Sequence, residues 1–127
     1  GNLWDNLKIA NFSMFVGSEI KLLEGLKKGC VGCISATTNV TNSLARTVYD
    51  DFINNKEQTV NEKLCAVRKT FDETGNLISA LHSFMSLQSI KYKKLLPPLS
   101  LLSEKKHEEL IFKLKELHFS FKKNMAA

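Results

Sequence analysis

Residues 12–16 and 30–37 are short apolar runs, and between them Ile20, Leu22, Leu23 and Leu26 recur at helical spacing within residues 19–28. Asn11 precedes the first run, Gly17-Ser18 follows it, and Gly29 stands where a glycine C-cap would end the helix. A strand, a crossover helix and a second strand bring the two strands side by side in parallel. Parallel strands covered by helices read as near-continuous apolar runs, and both segments are of that kind, each expected to be buried on both faces. Two such strands do not make a stable sheet, because buried outer edges would leave backbone donors and acceptors unpaired. The pattern therefore predicts strands shaped to complete a larger sheet.

The rest of the chain reads as helices. Leu3, Trp4, Leu7, Ile9 and Ala10 suggest a short helix over residues 3–10. Thr38-Asn39-Val40-Thr41-Asn42 reads as a loop offering N-cap residues to an amphipathic helix over residues 43–54, with Leu44, Val48 and Phe52 on one stripe. Asn54-Asn55 breaks that pattern. Val60, Leu64, Val67 and Phe71 resume it until Gly75-Asn76 breaks it again. Residues 77–87 carry a broad apolar face, residues 91–102 form a basic connection in which Pro97-Pro98 forbids a helix, and Ser103 caps a last helix whose stripe is Leu110, Ile111, Leu114 and Leu117. The tail from Ser120 to Ala127 is basic and expected to fray. The organisation is α/β over residues 1–54, followed by a helical extension over residues 55–127.

Several function classes fit poorly. The net charge is +5, but the lysines fall in scattered pairs (Lys27-Lys28, Lys93-Lys94, Lys105-Lys106, Lys122-Lys123) without a nucleic-acid motif, so no nucleic-acid partner is expected. No run is apolar enough to span a bilayer and no signal peptide is evident, which gives a cytoplasmic, non-membrane expectation and makes the sequons at Asn11 and Asn39 incidental. Cys30 and Cys33 form a C-x-x-C inside an apolar run, where a redox pair would need an exposed helix N-terminus, so they and Cys65 read as inert thiols. His82, His107 and His118 lie on separate segments without metal-ligand spacing, and no metal or cofactor is expected.

Residues 17–40 run Gly17-Ser18-Glu19-Ile20-Lys21-Leu22-Leu23-Glu24-Gly25-Leu26-Lys27-Lys28-Gly29-Cys30-Val31-Gly32-Cys33-Ile34-Ser35-Ala36-Thr37-Thr38-Asn39-Val40. This stretch resembles the seventh and eighth β/α segments of dihydrodipicolinate synthase and N-acetylneuraminate lyase relatives, which carry G-S-D or similar, a helix ending in G-A-x-G, then I-S-x-T-x-N-V. Gly75-Asn76-Leu77-Ile78-Ser79-Ala80-Leu81 and Leu95-Leu96-Pro97-Pro98-Leu99-Ser100 resemble, more loosely, the helices and proline segment that end such chains. The resemblance implies the C-terminal part of a (β/α)8 barrel plus a helical block. It also implies a lyase that holds pyruvate or a 2-oxo acid as a Schiff base, and a homo-oligomer. Gly1-Asn2-Leu3-Trp4 matches the end of the family's lysine-bearing segment. The imine-forming lysine and the proton-relay tyrosine, which neither Tyr49 nor Tyr92 matches, are therefore expected upstream of Gly1, and the chain alone is expected to be inactive.

What the resemblance leaves here is one wall of a substrate pocket, Gly17, Ser18 and Glu19 after the first strand with Ile34 and Ala36 at the second. Gly17 would let the backbone approach substrate or simply serve turn geometry. Glu19 stands at a position that is usually Asp and that contacts the sugar in sialic-acid-cleaving members, or else it is a first-turn acid favouring the helix dipole. Ile34 matches the apolar residue against the pyruvyl group, with core packing as the alternative for Ile34, Ser35 and Ala36. The reading favours 4-hydroxy-tetrahydrodipicolinate synthase, with N-acetylneuraminate or 2-keto-3-deoxy-sugar-acid lyase as alternatives, and with a non-catalytic helical interaction module or a basic nucleic-acid-binding protein behind them.

Overall fold

The computed structural model describes residues 3–121. Gly1 and Asn2 of the lysine-segment match, and residues 122–127 of the basic tail, lie outside the described residues. A 3-10 turn, Asp5–Lys8, leads into strand β1 (Phe15–Val16); a second 3-10 turn, Glu19–Lys21, runs into helix α1 (Leu22–Lys28); and strand β2 (Gly32–Cys33) follows. Helices α2 (Thr38–Ile53), α3 (Asn61–Asp72), α4 (Leu77–Met85) and α5 (Glu104–Glu116) complete the order, with a 3-10 turn at Ile90–Lys93 before α5. The chain packs as two compact units that divide between Cys65 and Ala66, within α3.

In the first unit β1 and β2 pair in parallel, Phe15 opposite Gly32 and Val16 opposite Cys33. The ladder continues on either side, Val31 N–H donating to the Met14 carbonyl and Ile34 N–H to the Val16 carbonyl, both at 2.9 Å. Helix α1 lies very close on this pair. A Cβ on Gly25 would stand 2.7 Å from Val16 Cγ1 and 3.4 Å from Cys30 Sγ, so glycine lets the helix backbone reach the strand. Gly29 ends the helix at φ 109°, its N–H returning to the Gly25 and Leu26 carbonyls, as the glycine-cap expectation requires. Val16, Leu22, Leu26, Cys30, Val48 and Leu64 form the buried core, with Trp4, Leu7, Tyr49 and Phe52 packed half-buried around it.

Three expectations are corrected here. Residues 38–42 are helix and not loop: α2 starts at Thr38, because Thr38 Oγ1 donates to the Ser35 carbonyl, Asn39 Nδ2 to the Ala36 carbonyl and Thr41 Oγ1 to the Thr37 carbonyl. Such residues disfavour helix interiors in isolation, and here burial of Val40 and Thr41 overrides that preference. The strands are not buried on both faces: Val16 is 2% exposed, but Phe15 is 48% and Ile34 70% exposed, since only one face of the pair meets α1 and the core. Residues 3–10 make a single 3-10 turn with no buried residue of its own.

In the second unit Phe71, Val67, Ala80, Phe84, Leu110, Leu114 and Phe119 are buried. The Phe71 and Phe84 rings meet edge to face at 5.6 Å between centroids, and Phe84 stacks on Phe119 at 5.8 Å, geometries that aromatic quadrupoles favour. Ser103 caps α5 as expected, accepting from Lys106 N–H, and Asn76, read only as a break, also caps α4 by accepting from Ser79 N–H. Helix α4 buries a narrower face than its apolar content suggests, Ser79, Ala80, Ser83 and Phe84, while Ile78 and Leu87 stay exposed. Ser83 earns its place by accepting from Leu102 N–H at 3.0 Å, which pins the proline-containing connection.

Replacing Gly25 with Ala adds helix propensity but forces the new methyl into Val16. The expected result is a net loss of about 1–3 kcal/mol, read as a lower urea midpoint with unchanged slope.

Candidate functional site

Because β1 and β2 are parallel, their C-terminal ends lie at the same end of the pair, and the Val16 carbonyl to Ile34 amide bond ties those ends together. The residues that follow each strand, 17–19 and 34–37, are thereby brought side by side. Gly17 is exposed, its φ is not left-handed, and a Cβ built on it meets nothing within 4 Å. Neither turn strain nor packing in this chain requires glycine there. Ser18 sits extended at φ −150°, its Oγ accepting from Ile20 N–H to cap the following turn. Ile34 and Ala36 are exposed.

Glu19 is placed differently. It is 0% exposed, with its carboxyl in a cluster of hydroxyls. Ser35 Oγ donates to Oε2 at 2.8 Å, Thr41 Oγ1 donates to Oε1 at 2.9 Å, and Ser35 Oγ lies 3.0 Å from Thr37 Oγ1. Thr37 and Thr41 are themselves buried. Sequence reasoning singled out Glu19 but missed Thr37 and Thr41; the available signal was the hydroxyl series Ser35, Thr37, Thr38 and Thr41, of which the first two read as strand and the last two as loop.

The charge on Glu19 is felt nearby. Burial, and then the negative charge of Glu19, push the Cys65 thiol above its usual range, while burial alone raises Cys30. All three cysteines are free thiols. Among the described residues no group of three His, Cys, Asp or Glu side chains could hold a metal ion, and no helix is long and apolar enough to cross a membrane. His82 donates from Nδ1 to the Tyr92 carbonyl at 2.8 Å, an arrangement that fixes the turn at Ile90–Lys93.

A groove of about 360 Å³ lies elsewhere on the first unit, lined by Phe15, Val31, Gly32 and Cys33 of the strands and by Arg46 and Tyr49 of α2. None of the five wall residues lines it. It is the hollow left where β2 ends the two-stranded sheet, and Arg46 on its margin is already paired with Asp50 and laid on the Tyr49 ring.

Comparison with known proteins bears on this arrangement. The sequence profile described as the Dihydrodipicolinate synthetase family matches residues 5–117. The fold is similar to that of Proteus mirabilis N-acetylneuraminate lyase, with a TM-score of 0.73 at 20% identity over 91% of this chain and 40% of that one. A monomeric dihydrodipicolinate synthase variant gives a TM-score of 0.71 at 25% identity, over 91% of this chain and 39% of that one. Dihydrodipicolinate synthase from Thermotoga maritima gives 0.68 at 24% identity, over 89% and 39%. The chain thus spans about 40% of the length of the solved proteins it matches. No curated protein sequence matches it.

Two outcomes are expected at the site. Gly17→Ala should change unfolding stability by less than about 0.5 kcal/mol, as for a surface substitution, because the added methyl enters open space. Alkylation of Cys65 by iodoacetamide, followed by peptide mass, should begin at a higher pH than for an ordinary thiol, and Glu19→Gln should move the onset to lower pH. An onset unchanged in that variant would show that Glu19 does not act on Cys65.

Proposed function

Since the chain belongs to the Dihydrodipicolinate synthetase family, we propose that it forms the last two β/α segments and the helical extension of a (β/α)8 lyase that holds pyruvate or a related 2-oxo acid as a Schiff base. The observation that carries this reading is the open end of the strand pair: Gly17 without steric need for glycine, beside an exposed Ile34 and Ala36. Barrel active sites lie at the C-terminal ends of the strands, which is where these residues stand.

The chemistry assigns each of them a part. In a class I aldolase-type reaction a lysine amine condenses with the 2-oxo group, water leaves, and the iminium withdraws electrons so that an enamine forms and adds to an aldehyde carbon. On this reading the imine-forming lysine comes from another strand of the barrel, and these residues supply its surroundings. Gly17 offers backbone to the substrate without a side chain in the way. Ile34 supplies a dry wall that disfavours the protonated amine and so keeps it nucleophilic. Ala36 leaves room beside it.

Within the family, dihydrodipicolinate synthase chemistry, pyruvate with aspartate semialdehyde, is the favoured reading. What supports it over a sugar-cleaving lyase is Glu19: both of its carboxyl oxygens are engaged by Ser35 and Thr41 inside the protein, leaving it buried and turned away from a sugar. Self-association of the whole lyase belongs to the same proposal.

The test is chemical. The uninterrupted reading frame of the gene and the 127-residue chain are each incubated with pyruvate and borohydride, and intact masses are compared. A reduced pyruvyl adduct on the longer product alone is the expected result; an adduct on neither would sink the lyase reading and favour a helical interaction module.

A further inference from the structure

We propose that Glu19 is a positioning residue of the lyase, an internal brace that holds the Ile34–Thr37 segment so that Ile34 and Ala36 face the pyruvyl group; this rests on the lyase reading above. A carboxyl group taken fully out of water is costly unless hydrogen bonds replace the lost solvation. Glu19 meets that requirement with two bonds that reach across the unit, one to a residue 16 positions away and one to a residue 22 positions away. Its two oxygens therefore tie the turn after β1 to both the end of β2 and the first turn of α2.

The direction of the hydrogen bonds follows from the proton count. Ser35 has a single hydroxyl proton and gives it to Glu19 Oε2, so its contact with Thr37 Oγ1 at 3.0 Å must be one in which Thr37 donates and Ser35 accepts. Thr41 likewise has one proton, shared between Glu19 Oε1 at 2.9 Å and the Thr37 carbonyl at 3.0 Å. Every hydroxyl of the cluster points, directly or through a neighbour, toward one carboxyl group.

The consequence lies in the alternation along the segment. Ser35 and Thr37 turn inward to this cluster, while Ile34 and Ala36 are exposed. This short stretch passes from Ile34 through a turn into α2 at Thr38, and release of the hydroxyls from Glu19 would free it to show other side chains to the substrate. The Val16 carbonyl to Ile34 amide bond sets the segment's position along the strand, and Glu19 sets which side chains it shows. Aspartate is shorter by one methylene, so from the same backbone position its carboxyl stands farther from Ser35 and Thr41.

Two variants of the full reading frame test this, Glu19→Asp, and Thr41→Val, which keeps the shape of the side chain but removes its donor. Steady-state kinetics with pyruvate and the aldehyde are combined with borohydride titration of adduct-forming sites. In each variant the KM for pyruvate should rise about tenfold, the usual scale for losing a hydrogen bond to a charged group, while the aldehyde KM and the titratable sites per chain stay unchanged. The double variant should be no worse than the poorer single one within about twofold, because both break one network. A rise confined to the aldehyde KM in Glu19→Asp would overturn the proposal by making Glu19 a substrate contact. Fewer titratable sites with both KM values unchanged would overturn it by reducing Glu19 to support of the fold. Failure of the unaltered protein to take the pyruvyl adduct would remove the lyase reading itself, and this role with it.

Discussion

Val16 has almost no freedom. Its side chain is buried, one of its methyl groups occupies the space that a Cβ on Gly25 would fill, and its carbonyl accepts the Ile34 amide. One residue thus fixes how near α1 comes to the strands and how β2 is registered on β1. The turn carrying Gly17, Ser18 and Glu19 starts at its C-terminus, so the placement of those residues is inherited from this contact. The pairing is short in number of residues, yet it is held from three directions, by helix, by ladder and by the hydroxyl cluster beyond the strand ends.

Much of the fold could be read from the residues. The strand, helix, strand order follows from two apolar runs around a helical spacing, and the parallel pairing follows from the crossover. The breaks at Asn54-Asn55 and Gly75-Asn76 are seen as Asn54 closing α2, Asn55 at φ 54°, Gly75 at φ 89° and Asn76 capping α4. Ser103 caps α5 as its side-chain chemistry demands. These features are local: a cap or a left-handed residue needs only its immediate neighbours, so spacing reveals it.

What escaped the sequence depends on distant partners. Residues 38–42 have the composition of a loop, and burial of Val40 and Thr41, the latter donating to Glu19 22 positions earlier, favours helix there. Apolar content likewise overstated burial, since Phe15 and Ile34 are no less apolar than Val16 yet face away from the core. Gly17, Ser18, Glu19, Ile34 and Ala36 stand at the strand ends, but the inward turn of Glu19 could not be read, because the side of a chain that a carboxyl takes is decided by which hydroxyls wait for it. Membership of the family places these residues in a wider setting, while the contacts among them are properties of this chain.

The two strand ends belong to segments that stand close in the chain. The helices downstream pack an aromatic core around Phe71, Phe84 and Phe119. The ties at the strand ends join residues 16 to 22 positions apart, and loop-closure entropy rises only slowly with the number of residues enclosed. Contacts of such short span form early and fast compared with those that must gather remote parts of a polypeptide. Assembly of this rim is accordingly a local event in folding, set by one crossover and its helix.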